Sequence, residues 1–348
     1  MSPKAIRRAT CIAAGLLIAA QPMAAFAWGE RGHTAIDRAA VAALPDDGPV
    51  FLRDYIDYIG ASASIPDTWR SASEPFAKID EDPNHGWFRE QSTVMAHPPR
   101  SRYAFVLALY REHQRISRIN PDAAKRVNVR WTGTLPYAAM EGYGRLVSGM
   151  RWLRRRQAEG ADVRPLQQTC AFYVAWLGHY IGDGAQPLHN SIASDGWRGP
   201  NPKGYTQDRS IHGRFETGYV DAMGLTEQDI VARMPGATRL DGDLFDQVLA
   251  FLNRSGDKME MVYQLDQRGA FADPNNAEAR QLVYDRTTAG ATMLRDMVYR
   301  AWRESAKPAT ESTPNPLDFT SPAFDPETGS APPAADRYGE AASNRMTR

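Results

Sequence analysis

Apolar positions recur with a helical period along most of this chain. In "GHTAIDRAAVAALP" (32–45) they mark one face of a helix, and Pro45 stops it. "YAFVLALYREHQRISRIN" (103–120) predicts a second helix, ended before Pro121. "PYAAMEGYGRLVSGMRWLRRRQAEG" (136–160) predicts a third, with Pro136 in the first turn and Gly160 as C-cap. "PLQQTCAFYVAWLGHYIGDG" (165–184) is the most apolar, which predicts a central position. Further helices are expected over 206–221, 225–234, 242–267 and 276–304. Gly, Pro, Asn and Ser cluster in 60–100 and 190–205, which read as loops. No run alternates as a strand does and no unit repeats, so the expected fold is all-α, one multi-helix domain over 28–304.

The two ends break the pattern. Residues 1–27 carry Lys4, Arg7 and Arg8, then the apolar run "CIAAGLLIAA", then Ala25-Phe26-Ala27, which is the layout of a secretory signal peptide cut before Trp28. Arg7-Arg8 leaves a twin-arginine route open. The expected location is therefore periplasmic or extracellular, with no membrane span. From 305 to 348 the chain is rich in Pro, Ser, Thr and Ala without a period and reads as a disordered tail; the alternative is a segment wrapping the domain through Phe319 and Phe324.

Charge narrows the function. The 348-residue chain has 41 Lys+Arg and 41 Asp+Glu. Removing 1–27 takes away three positive charges and leaves 38 against 41, a formal −3. There is no basic excess to hold long nucleic acid by counterion release, so such a substrate must be gripped locally. Of the two cysteines, Cys11 lies in the leader and Cys170 is left without a partner for an intrachain disulfide.

The histidines carry the chemistry. His179 and Asp183 stand four apart on a predicted helix, His189 follows once Pro187 has broken it, and His212 and Glu216 repeat the spacing. One such pair alone is ordinary helix surface; two pairs with a histidine between them form a metal-ligand pattern. Histidine and carboxylate without cysteine is typical of catalytic zinc, although manganese and iron use similar donors.

With "WGERGH" at 28–33, these residues resemble the superfamily of zinc-dependent phospholipase C and single-strand-specific zinc nucleases. The resemblance spans Trp28 to Glu216 and implies a helical domain with three zinc ions in a cleft. It implies one ion on Asp67, His85 and His179, with Asp183 bridging to a second held by His33 and by the α-amino and carbonyl groups of Trp28. His189, His212 and Glu216 would hold the third. An α-amino group titrates near ~8, so a cation displaces its proton far more readily than a lysine's. Two assignments have competitors: Asp67 also reads as a helix N-cap, and His97 competes with His85. His113 is expected on the surface.

The implied activity is phosphate-ester hydrolysis, with Asp67 orienting or deprotonating water and Arg70 beside the phosphate. "WGERGH", the Asp67/Arg70 spacing and the long His189–His212 interval resemble the nuclease branch, which implies single-stranded nucleic acid or nucleotides. Glu216 in place of aspartate and the lack of basic excess resemble the phospholipase branch. Trp87 and Phe88 would stack a base, line a lipid pocket, or be core. A non-enzymatic metal-binding or adhesive protein is the remaining reading.

Overall fold

The computed structural model describes residues 28–308; the signal-peptide reading, and the tail reading from 309 on, lie outside the described residues. Six long helices carry the molecule: α1 (Gly29–Ala42), α2 (Arg102–Ser117), α3 (Leu135–Ala158), α4 (Arg164–Ala185), α5 (Leu244–Gly256) and α6 (Ala277–Ser305). Short helices and 3₁₀ turns join them in a single all-helical domain, with no β-strand among the described residues and one isolated bridge between Trp87 and Gly133.

α4 is central, as its composition predicts. Cys170, Val174, Leu177 and Ile181 are buried, and the helix packs against α1, α3, α5 and α6. Each fully buried aliphatic side chain of this kind contributes roughly 1.5–3 kcal/mol. Three of the six start on a capping side chain: Ser101 accepts from Ala104 N, Asp243 from Asp246 N and Asn276 from Ala279 N. No helix among the described residues is long and apolar enough to cross a membrane.

Several boundaries differ from the sequence pattern. α1 begins three residues earlier than expected, because Trp28 and Gly29 both take left-handed backbone (φ 55° and 59°) and turn the chain straight into the helix. The expected loop over 60–100 contains helical segments Ile65–Thr68 and Pro75–Glu81 and 3₁₀ turns Asp82–His85 and Thr93–Ala96. These are too short to show a period. The helix expected over 206–221 starts only at Ile211 and turns π-helical over Arg214–Tyr219. The one expected over 242–267 is two helices, α5 and Met259–Gln267, and that over 225–234 shrinks to Glu227–Val231. His113 is half-buried rather than fully exposed, 2.8 Å from the Ala124 carbonyl.

Candidate metal centre

Two helices and their glycines set the floor of the site. On α1, His33 and Asp37 are one turn apart and face Gly182 and Gly178 of α4. A Cβ at Gly182 would sit 2.8 Å from His33 Nδ1, and one at Gly178 would collide with the Asp37 carboxyl. Only glycine admits both side chains between the helices. The buried Trp28 indole fastens the start of α1 by donating from Nε1 to the Gly182 carbonyl at 2.8 Å. Its own carbonyl accepts from Gly32 N at 3.0 Å.

An inner group forms here. His85 Nδ1 lies 2.8 Å from Asp183 Oδ2, 3.1 Å from His179 Nε2 and 3.7 Å from Asp67 Oδ1. His33 Nε2 lies 3.4 Å from Asp183 Oδ1. Two overlapping sets could each hold a metal ion: His85, His179 and Asp183, and His33, Asp67 and His179. All five residues are buried. Asp67 is not an N-cap; Ser64 holds that position and Asp67 sits inside the short helix.

An outer group is built from less regular chain. His189 stands on the 3₁₀ turn Pro187–Asn190, His212 on Ile211–Gly213 and Glu216 in the π-helical segment. Glu216 Oε2 is 2.9 Å from His212 Nε2 and 3.5 Å from His189 Nε2, and the two ring nitrogens are 3.0 Å apart. This set too could hold a metal ion.

The donor atoms fit cations. His33 Nδ1 and Nε2, Asp67 Oδ2, Asp183 Oδ1 and Glu216 Oε1 are buried with no hydrogen-bond partner among the described residues. Orphaned buried polar atoms are costly, and four in the inner group with one in the outer call for a ligand at each. Four histidines present one nitrogen to their group and anchor the other. His179 Nδ1 meets the Ala63 carbonyl, His85 Nε2 meets Glu81, His189 Nδ1 meets the His85 carbonyl and His212 Nδ1 meets Asp195. That outer shell is the usual support of metal-binding histidine.

Electrostatics agree. Burial alone would raise the Asp183 carboxyl, but His179 and His189 outweigh it and hold it well below the usual range. Burial would likewise raise Glu216, yet His212 and His189 bring it to about 2. Burial would lower His212, but Glu216 and Asp195 raise it to about 10. His179 is pushed well below the usual imidazole value, chiefly by burial. Asp67 is raised, by burial first. Asp37, fully buried, is raised well above the usual range by burial.

The groups open into a cleft of about 930 Å³ lined by Asp67, His85, His189 and His212. Arg70, Lys78, Asp82 and Phe88 line it further out. Arg70 Nη1 is 3.2 Å from Asp67 Oδ1, and Lys78 donates to the Arg70 carbonyl at 2.9 Å. Trp87 requires a correction: it is 1% exposed, stacks among Phe105 and Tyr137, and does not line the cleft. The chain alternates here, sending Trp87 inward and Phe88 outward. His97 is exposed and outside both groups. The sequence reading missed Glu81, Asp195 and Asp37. Glu81 had a usable signal, four residues before His85; Asp195 lies in an irregular stretch with none.

No family model matches the chain, and no curated protein matches it. Among solved structures it is similar to the alpha toxin from Clostridium absonum, with a TM-score of 0.40 and 12% identity. That match covers 80% of this chain and 66% of the toxin, just under two thirds of the toxin's length.

Proposed function

We propose that the protein is an exported, zinc-dependent phosphodiesterase that cleaves single-stranded nucleic acid or nucleotides. The carrying observation is the convergence of buried, unpartnered nitrogen and carboxylate donors at the base of an open cleft with Arg70 at its wall. Three zinc ions are assigned: one on Asp67, His85 and His179, one on Asp183, His33 and the N-terminal Trp28, one on His189, His212 and Glu216. When bound, such ions acidify water and neutralise phosphate oxygens.

The chain's own residues do the rest. Asp67 Oδ2, without a partner, takes the proton of the attacking water. Arg70, oriented by Asp67 and Asp82, offers its planar fork to the phosphate. Phe88 stacks against a base at the cleft wall. Removal of 1–27 frees the Trp28 amino group, so export completes the site.

A phospholipid substrate is the second reading, favoured by one observation. Phe76 and Ile79 are 88% and 72% exposed on the same short helix whose Lys78 lines the cleft. Hydrolysis of denatured DNA against phosphatidylcholine dispersions, each with and without chelator, decides between them. Absence of chelator-sensitive cleavage of either substrate would overturn both.

A further inference from the structure

Glu81 ends the helix Pro75–Glu81 and is only 7% exposed, yet it does not line the cleft. Its Oε1 lies 3.1 Å from His85 Nε2 and accepts from the Tyr180 hydroxyl at 2.7 Å. Its Oε2 accepts from Asn84 Nδ2 at 3.1 Å. Asn84 Oδ1 accepts in turn from Arg102 Nη1 at 2.8 Å and Thr134 Oγ1 at 3.0 Å. Arg102 is clamped by both oxygens of Glu141. Three partners thus converge on this buried carboxyl and satisfy its lone pairs. Glu81 touches His85 on the side of the ring away from the metal group, so it does not compete for the cation.

We propose that Glu81 is a positioning residue for His85, and that through the His85 ring it sets the inner metal group; this rests on the metal reading above. An imidazole in this place has one tautomer that fits. With Nε2–H donated to Glu81, the Nδ1 lone pair is left facing Asp183, His179 and Asp67. The same residue serves the outer group through its backbone. The His85 carbonyl receives His189 Nδ1–H, and Trp87 N donates back to the His189 carbonyl at 2.8 Å.

The test uses the full chain and zinc alone, titrated against a competing chelator, on the wild type and on Glu81→Ala, Glu81→Gln and Tyr180→Phe. Outer-shell partners typically account for ~10–100-fold in metal affinity. Glu81→Ala should weaken zinc binding within that range, at the inner group. Glu81→Gln, which keeps an acceptor oxygen, should recover much of the loss, and Tyr180→Phe should cost less than either. Nitrogen-15 spectra of the zinc-loaded protein should show His85 protonated at Nε2 in the wild type and in Glu81→Gln, and mixed in Glu81→Ala. A purely structural role would lower the unfolding temperature without moving the tautomer. Should Glu81→Ala not fold, Glu81→Gln and Tyr180→Phe still read the affinity order. Unchanged affinity and tautomer in the Glu81 variants overturn this proposal alone; a wild type that binds no zinc overturns it together with the functional reading.

Discussion

The inner and outer groups use the same donor chemistry on opposite kinds of scaffold. The inner one takes His33, His179 and Asp183 from α1 and α4, two long helices that meet across glycines, adds Asp67 and His85 from short segments at the cleft, and has all its side chains buried. The outer one hangs on a 3₁₀ turn and a π-helical segment, and His212 borders the open cleft. The inner site is therefore preorganised by the core, whereas the outer site depends on individual hydrogen bonds such as Asp195 to His212 and Gln186 to Glu216. Damage to the first should be global and damage to the second local.

The hardest test of this contrast is Asp183→Asn. Asp183 approaches His33, His85 and His179 together, so its loss should lower activity by more than the ~100-fold limit of an outer-shell change and remove bound metal, measured by elemental analysis. Next is Asp195→Ala, expected to weaken metal at the outer group alone by ~10–100-fold, leaving the remaining bound metal in place. Equal loss at both groups would abolish the distinction. Gly178→Ala forces a methyl into the Asp37 carboxyl at the inner crossing and should cost about 1–3 kcal/mol in urea unfolding. The same change at Gly213, where a Cβ meets nothing within 4 Å, should leave stability nearly unaltered.

The smallest effect is in pH. In metal-stripped protein His212 is raised to about 10, so its stabilisation is complete below ~6.5 and is lost as pH rises through 10. His179 is lowered, so its environment favours the neutral ring and stability is lost as pH falls below ~6.5. The two groups should thus weaken the apo protein on opposite sides. His212→Gln should flatten the alkaline limb of the unfolding midpoint against pH, and His179→Gln the acid limb.

Legibility in the sequence follows the same divide. α3, α4 and α6 were readable because each buries a face over many turns, and a long period survives local exceptions. Pro75–Glu81 was not, because its Phe76 and Ile79 point to solvent while Glu81 points inward, inverting the usual pattern. The His179/Asp183 and His212/Glu216 spacings were visible, since one helical turn brings each pair together in the fold. Trp87 was misread because composition cannot say which of two adjacent aromatics faces the cleft. Asp37 gave no signal: its neighbour Gly178 is distant in sequence and close only once α1 crosses α4.

The π-helical stretch Arg214–Tyr219 has a consequence for how this chain tolerates change in length. A π turn amounts to one residue more than an α-helix needs. Deleting Gly218, exposed and without a side chain, would let the segment relax into an ordinary helix. Deleting one between His212 and Glu216 would instead rotate the carboxylate by about 100° and aim it away from its histidines. Tolerance of length at this place is thus directional: Gly218 is spare, Thr217 and Tyr219 pack against Gly29 and Phe271, and the residues before Glu216 are a ruler.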